Sequence, residues 1–298
     1  MTTGDRPSPD YPTSFTEIPA WASENRVPPS EARRRFAQYA ILAAIASSSS
    51  LRRLLVFKGG NALDFVWSPN CSTLDLDFSA DMQAAGANDI DEAELGRLLT
   101  RALIVSEREL GVAMAVHGVR RQPPGEGKTF VTYTARIGYA LQDDPRNRTR
   151  LGARQPSSNV VPVEVSINEP IGADETLPLG GTRALRVSTI DDIVAEKLRA
   201  FLQQKGTIRN RNRPQDLLDI AYLLGHNTPL DRGRISRFLL DKAEARYVPV
   251  SKAAFRDPEL SDRASQALRD TVRGDFIPFD EALGLLYLLA EELHIPEE

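Results

Sequence analysis

Residues 54 to 78 read LLVFKGGNALDFVWSPNCSTLDLDF, and this stretch decides which fold and which chemistry we expect. An apolar run ends at Gly59 and Gly60, a pair that lets the backbone turn into a helix and come close to a phosphate. Asp75 and Asp77 follow on a predicted strand. Because strand side chains alternate, the two carboxylates share one face, where they can bind divalent metal ions. The pattern predicts a metal-dependent site for phosphoryl or nucleotidyl transfer.

The aspartate pair taken alone has a second interpretation, a strand face that simply contacts solvent. Short acidic motifs are common without a metal. Two carboxylates so close together repel each other unless a cation lies between them, and Mg²⁺ or Mn²⁺ prefers such hard oxygen ligands. Two such ions can hold the attacking and leaving oxygens of an in-line displacement. The strand and glycine turn that precede the pair favour the metal site.

The composition is that of a soluble globular protein. The chain has 298 residues, of which 41% are hydrophobic and 26% charged, with a net charge of −4. A negative net charge argues against binding of nucleic acid by the whole surface but permits a local basic patch. The single cysteine, Cys71, excludes an intramolecular disulfide. No apolar run approaches the length of a membrane span, so we expect no membrane contact and a cytoplasmic location.

The chain divides into three predicted parts. Residues 1–29 form a proline-rich N-terminal extension, residues 30–185 an α/β domain with a mixed sheet, and residues 186–298 an α-helical C-terminal domain. The α/β assignment rests on a helix at residues 31 to 47 and on strand patterns that stop after Ser188. These strands are predicted at residues 54–57, 74–78, 130–137 and 163–167.

Glu164 lies in the middle of the last of these strands, between two valines. If a neighbouring strand brings it beside the aspartate pair, it can bind metal or help to deprotonate an attacking hydroxyl. The alternative is an exposed strand glutamate without a function. The sequence leaves both interpretations open.

Two charged residues of the helical half lie on apolar helix faces. Lys197 projects from the middle of such a face, which is costly unless its stem reaches solvent or its ammonium meets an anion. That anion could be a triphosphate bound by the α/β domain. Asp216 follows Pro214 and is either a first-turn acid favoured by the helix dipole or a buried functional acid.

A basic segment connects these two helices. Six basic residues and no acid lie between Lys197 and Gln215, counting Lys197 itself. Arg209, Arg211 and Arg213 in this segment are candidates for phosphate contacts with a nucleic acid. A solvated charged run is the ordinary alternative.

Five short motifs, taken in order, resemble the AbiEii-type nucleotidyltransferase toxins of type IV toxin–antitoxin systems, which include the MenT toxins. They are KGGNAL at 58–63, TLDLDF at 73–78, VEV at 163–165, DIVAEK at 192–197 and NRPQDLLD at 212–219. The resemblance implies a polymerase-β-like nucleotidyltransferase domain joined to a helical domain. It implies that Asp75 and Asp77 are metal ligands, Lys197 a triphosphate contact and Asp216 a further essential acid.

The resemblance also implies the reaction. Such a protein transfers NMP from an NTP to the 3′ end of tRNA, which blocks translation, and an antitoxin protein is its partner. Lys58, Gly59, Gly60 and Asn61 would bind the nucleotide. The family usually has Thr or Ser in place of Asn61 and often Arg in place of Cys71. Two other functions remain open: nucleotide transfer to a protein side chain, or a non-catalytic module that binds RNA or an antitoxin.

Overall fold

The computed structural model describes residues 11–67, 73–87, 89–125, 127–179, 182–208, 213–226, 228–269 and 277–298. Cys71, Arg209 and Arg211 lie outside these ranges. The chain forms two compact units. Unit 1 comprises Met1–Glu169 and Asp174–Ser188, and unit 2 comprises Pro170–Ala173 and Thr189–Glu298.

Seven strands of the described part of unit 1 form one mixed sheet. They are β1 (Leu55–Lys58), β2 (Leu76–Ala80), β3 (Ala113–Gln122), β4 (Val131–Ala140), β5 (Val160–Ile167), β6 (Asp174–Pro178) and β7 (Ala184–Ser188). Their order across the sheet is β3-β4-β5-β2-β1-β7-β6. The pairs β2–β5 and β1–β7 are parallel and the others antiparallel.

The helices of unit 1 connect and cover these strands. They are α1 (Ile18–Glu24), α2 (Pro29–Ser47), α3 (Ser49–Leu54), α4 (Gly59–Ala62), α5 (Met82–Ala85), α6 (Glu92–Leu110) and α7 (Pro145–Gly152), with a 3₁₀ turn at Phe15–Glu17 and a π-helical turn at Leu63–Trp67. Helix α2 packs against α6, and α6 packs against β3. Part of the proline-rich segment, residues 1–29, also belongs to unit 1: it contains the buried Tyr11 and helix α1, which packs against α2.

Buried and part-exposed residues alternate along β5, so one face of the sheet is apolar and the other can carry polar groups. Val161, Val163 and Val165 are completely buried, whereas Pro162, Glu164 and Ser166 are only partly buried. Burial of each valine stabilises the fold by about 1.5–3 kcal/mol. The apolar face therefore holds the sheet against the protein core, and the intervening positions remain available for polar groups.

The strand that carries the aspartates begins later than predicted. β2 starts at Leu76, so the expectation that Asp75 lies within the strand is wrong. Leu74, the first residue of the predicted strand, is 60% exposed. The reason is a contact with a more distant residue: the backbone carbonyls of Thr73 and Asp75 accept hydrogen bonds from the side chain of Asn61. A bend therefore replaces the first residues of the expected strand.

Unit 2 is helical in its described part. Its helices are α8 (Ile190–Leu202), α9 (Pro214–Gly225), α10 (Arg232–Ala245), α11 (Lys252–Phe255), α12 (Pro258–Arg269) and α13 (Phe279–Glu292). Thr189 caps α8 by accepting a hydrogen bond from the backbone N–H of Asp192 at 3.4 Å, as its position in the sequence predicts. Helix α8 packs against α10 and α9, and α9 packs against α13. The mixed sheet followed by helices confirms the predicted fold class.

None of the helices in the described ranges is long and apolar enough to cross a lipid bilayer.

Candidate active site

Three carboxylates meet at the centre of the sheet of unit 1. Asp77 lies within β2, directly opposite Glu164 of the parallel strand β5, and Asp75 lies in the bend just before β2. One carboxylate oxygen from each of the three residues lies within 4.8 Å of the other two. All three side chains are partly buried. The structure thus brings Glu164 together with the aspartate pair.

The donor set fits a hard divalent cation. Each of the three groups offers a carboxylate oxygen, the ligand type that Mg²⁺, Mn²⁺ and Ca²⁺ prefer. Oxygens that share one Mg²⁺ lie at most about 4.2 Å apart, since each metal–oxygen distance is about 2.1 Å. Small side-chain rotations would therefore place these oxygens around one ion or around two. A cation there would also relieve the repulsion between the three negative charges.

The position of Gly59 next to Asp77 requires a glycine. The residue has a φ of +76°, in the left-handed region that glycine adopts without strain. A Cβ atom built on Gly59 would lie 2.5 Å from Oδ2 and 3.0 Å from Cβ of Asp77. Only a residue without a side chain lets the glycine turn approach the aspartate this closely. Gly60, the second residue of the turn, is buried.

Asn61 holds the bend that carries Asp75. Its side chain is completely buried, and its amide nitrogen donates to the backbone carbonyl of Thr73 at 2.9 Å and to that of Asp75. Its side-chain oxygen accepts from the backbone N–H of Thr73 at 3.3 Å. The predicted role was a contact with a triphosphate. In the structure both amide hydrogens are directed at the backbone of the bend, so Asn61 positions Asp75.

Behind Asn61 lies a buried polar network that the motifs did not reveal. The Tyr11 hydroxyl donates to Asn61 Oδ1 at 3.0 Å or to Asp64 Oδ2 at 2.9 Å. The guanidinium of Arg35, which is 3% exposed, donates to the same Asn61 oxygen at 3.0 Å and forms an ion pair with Asp64 at 3.3 Å. Burial raises the pKa of Tyr11 well above its usual range, and the charge of Asp64 adds to the effect.

This network could not be found from the motifs because its members are distant along the chain. Tyr11 comes from the N-terminal segment and Arg35 from α2, and neither position belongs to a short motif. One signal was available: Arg35 lies among the apolar residues of an alanine-rich helix. A buried arginine there must find an anion or acceptors, which predicts partners without identifying them.

Lys58, the residue just before the glycine turn, forms an ion pair. Its ammonium forms an ion pair with Glu169, a buried carboxylate just after β5 that no sequence motif singled out. The Ser79 hydroxyl donates to the same carboxylate at 3.3 Å. Lys58 pairs in register with Asp77, so the two side chains leave the same face of the sheet. The predicted nucleotide-binding lysine is therefore close to the acids and already paired.

A second charged cluster lies within unit 2. Lys197 is 6% exposed, and its ammonium lies 3.3 Å from Asp216 Oδ1 and 2.5 Å from Asp219 Oδ2. Both aspartates come from α9 and are buried. The ammonium thus meets anions, as burial of a lysine requires, but they are protein carboxylates. Asp219, which was not among the predicted site residues, is a full member of this cluster.

The basic segment is described only in part. Arg213 lies 3.5 Å from Asp216 with nearly half of its side chain exposed. Arg209 and Arg211 fall outside the described residues.

A comparison with protein-family models agrees with the motifs. The family model of the nucleotidyl transferase AbiEii toxins of type IV toxin–antitoxin systems matches residues 40–284. Among solved structures, a protein described as a nucleotidyltransferase from H. pylori is 17% identical, with 88% of this chain and 93% of that chain covered and a TM-score of 0.48. MenT4, a nucleotidyltransferase toxin from Mycobacterium tuberculosis, is 17% identical, with 89% and 83% covered and a TM-score of 0.46. The comparison with curated proteins gave no match.

Proposed function

The chain belongs to the AbiEii family of nucleotidyl transferase toxins of type IV toxin–antitoxin systems, and from this premise we propose that it transfers NMP from an NTP to the 3′ end of tRNA. The modified tRNA would no longer be aminoacylated, so translation in the cytoplasm would stop until an antitoxin protein counteracts the toxin. The observation that carries the proposal is the cluster of Asp75, Asp77 and Glu164 beside the glycine turn.

In this proposal Asp75 and Asp77 hold Mg²⁺ or Mn²⁺, which when bound neutralises phosphate charge and makes the attacking hydroxyl more acidic. Glu164 completes the ligand set or takes the proton of the 3′ hydroxyl. The 3′ oxygen forms a bond to the α-phosphorus while the bond from that phosphorus to the pyrophosphate oxygen breaks. The products are the extended tRNA and pyrophosphate, and the hydroxyl proton leaves through the carboxylate or to water.

The glycine turn would hold the triphosphate. Gly59 and Gly60 carry no side chains, so their backbone amides can approach phosphate oxygens closely. Lys58 remains a proposed nucleotide contact, with its ammonium shared between Glu169 and the phosphates when the nucleotide is bound. Asn61 would act indirectly, because its hydrogen bonds keep the Asp75 bend in place.

The roles proposed for the charged residues of unit 2 rest on the resemblance. Lys197 and Asp216 are proposed as catalytic residues, and their mutual ion pair is the feature that would change when a triphosphate competes for the lysine. Arg209, Arg211 and Arg213 are proposed as contacts to RNA phosphates.

Incubation with total tRNA and each labelled NTP in turn, in Mg²⁺ and in EDTA, tests the function. We expect label in tRNA with at least one NTP, and none in EDTA or with tRNA whose 3′ diol has been destroyed by periodate. Asp77→Asn should lower the rate at least about 100-fold, because it removes a charge that holds the metal. Asp143→Asn, which alters an exposed aspartate paired with Arg33, is the matched control and should be fully active.

Each outcome discriminates between functions. Label in a protein band instead of tRNA would show that a side chain is the acceptor. Growth arrest that persists in an Asp75→Ala, Asp77→Ala double variant would show that the toxin acts by binding alone. Unchanged incorporation by Asp77→Asn would refute the assignment of the site.

A further inference from the structure

The strand registers place five side chains in one row across the sheet. Asp77 of β2 pairs with Lys58 of β1 on one side and with Glu164 of β5 on the other. Glu164 pairs with Thr134 of β4, and Thr134 pairs with Arg120 of β3. Residues in register leave the sheet on the same face. The face that carries the acids therefore continues past Glu164 onto two further strands.

On those two strands this face is basic. Arg120 is exposed, and so is Arg136, which lies two residues from Thr134 on the same face of β4. Neither guanidinium forms an ion pair with a residue that the structure describes. The neighbouring positions Gly118, Gln122, Thr132 and Gly138 of this face are uncharged. The ring of His117, at the register shift of β3, lies over Gly138 and accepts a hydrogen bond from the backbone N–H of Ser157. Arginines exposed without an acidic partner are suited to contacts with phosphates.

Thr134 lies between Glu164 and Arg120 in this row, and Arg136 follows two residues later on the same strand. Its hydroxyl oxygen is buried and has no hydrogen-bond partner among the described residues. A buried hydroxyl without a partner is costly, so a donor or acceptor brought next to Glu164 by a ligand would stabilise this position. We call the surface formed by Arg120, Thr134 and Arg136 the acceptor face.

The groups of the acceptor face lie close enough together for one RNA strand to contact all of them. Arg120 lies two strand spacings from Glu164, about 10 Å, given that neighbouring strands are about 4.8 Å apart. Arg120 and Arg136 are diagonal neighbours on one face, with their Cα atoms about 7–8 Å apart. A single strand whose end reaches Glu164 would thus pass both guanidinium groups within its last few nucleotides.

The geometry of an in-line displacement indicates which of the two substrates, NTP or RNA, lies next to the acceptor face. In an in-line displacement the attacking and leaving oxygens lie on opposite sides of the phosphorus. Gly59 contacts Asp77 from the side of β1, so a triphosphate held by the glycine turn releases its pyrophosphate towards β1. The acceptor hydroxyl must then arrive from the side of β5, and the acceptor face begins on the next strand, β4.

We propose that the acceptor face binds the phosphate backbone of the RNA substrate, with Arg120 and Arg136 as its contacts and the terminal hydroxyl at Glu164. This proposal rests on the transfer to tRNA described above and adds a second basic surface, in unit 1, to the arginines proposed in unit 2. It requires no base-specific contact, because guanidinium groups on phosphates position a strand without reading its sequence.

Steady-state kinetics of an Arg120→Gln, Arg136→Gln double variant test the proposal. KM for tRNA should rise at least about tenfold, whereas kcat at saturating tRNA and KM for the NTP should stay within about twofold of the wild type. The slope of log KM for tRNA against log salt concentration should fall by about 1.4, since each lost contact to a single strand accounts for about 0.7. Binding of fluorescent tRNA to the same variant should weaken to the same extent.

An Arg97→Gln, Arg101→Gln double variant removes the same charge from α6 and is the control. These exposed arginines lie on the other side of the sheet, because α6 contacts Val119, whose side chain points away from that of Arg120. The control should change neither KM nor the salt slope. If the two double variants have the same KM for tRNA and the same salt slope while the wild type labels tRNA, the acceptor face is refuted and the proposed function stands. If the wild type labels no tRNA, or labels a protein, both are refuted.

Discussion

Replacement of Gly59 by alanine tests how the active-site turn is built, because the added methyl group meets two obstacles at once. The residue has a φ of +76°, where alanine is strained by about 1–2 kcal/mol. The new Cβ would also lie 2.5 Å from Oδ2, 3.0 Å from Cβ and 3.1 Å from Cγ of Asp77. To avoid the new methyl group, Cγ and the carboxylate of Asp77 would have to leave their place among the three acids, and the Cβ of Asp77 moves only with the β2 backbone.

Overpacking of this kind costs about 1–3 kcal/mol. The two effects together predict that Gly59→Ala lowers the free energy of unfolding by about 2–5 kcal/mol. Gly86→Ala separates them, because Gly86 has a φ of +66° and, apart from its own chain neighbours, no atom of the described residues lies within 4 Å of the place where its methyl group would be added. That control should show the backbone strain alone, about 1–2 kcal/mol.

Urea unfolding followed by tryptophan fluorescence is a suitable assay. Both tryptophans of the chain, Trp21 and Trp67, belong to unit 1, so the signal reports on the unit that contains the mutation. Titration with Mn²⁺ followed by electron paramagnetic resonance would report the second effect. A displaced Asp77 should weaken metal binding in Gly59→Ala and leave it unchanged in Gly86→Ala.

A double-mutant cycle gives the sharpest test of the contact. In an Asp77→Ala background the Oδ2 and Cγ contacts disappear, so Gly59→Ala should cost about 1–2 kcal/mol less than in the wild type. Equal costs in the two backgrounds, or a Gly59→Ala protein as stable and as able to bind Mn²⁺ as Gly86→Ala, would refute the steric argument.

Three further predictions concern charged and polar groups. Lys197→Met should lower the free energy of unfolding of unit 2, followed by circular dichroism, by about 3–5 kcal/mol, because it leaves the buried Asp219 without a cation and Asp216 with Arg213 alone. Arg97→Met, which breaks an exposed pair, should change the free energy of unfolding by no more than about 0.5 kcal/mol. Tyr11→Phe should cost about 1–3 kcal/mol by removing a buried hydroxyl, while Tyr247→Phe at a position 90% exposed should cost nothing measurable; equal effects would contradict the network. Burial and the charge of Arg136 lower the pKa of His117 below its usual value of 6.5. The stability that neutral His117 contributes is therefore present above pH 6.5 and is lost as the pH falls through the pKa of the folded state. His117→Gln should make the decline in the free energy of unfolding between about pH 7 and 5 less steep.

The fold class could be predicted because its signals are local. The alternation of β5, the apolar run before the glycine pair and the capping threonine of α8 each depend on residues a few positions apart. β3, β6 and β7 were not predicted. β3 shows why: none of its positions from Ala115 to Gln122 is buried and half of them are polar, so they carry no strong apolar alternation.

The bend at Asp75 shows where local reasoning fails. The alternation of leucine and aspartate predicts a strand from residue 74, and nothing nearby contradicts it. The bend exists because Asn61, which is 12 residues from Thr73, donates to the backbone carbonyls there. That side chain is in turn held by Tyr11 and Arg35, which come from other parts of the chain.

The sequence by itself determined which chemistry is available, because it supplies an aspartate pair, a glycine turn and a strand glutamate in an order that predicts a mixed sheet. Only the tertiary structure decided which of these groups meet. The parallel pairing of β2 with β5 places Glu164 opposite Asp77, and the same registers extend the acidic row to Arg120. The physical reason is that alternation assigns a side chain to a face, whereas strand order and register, which depend on packing of the whole sheet, assign its neighbours.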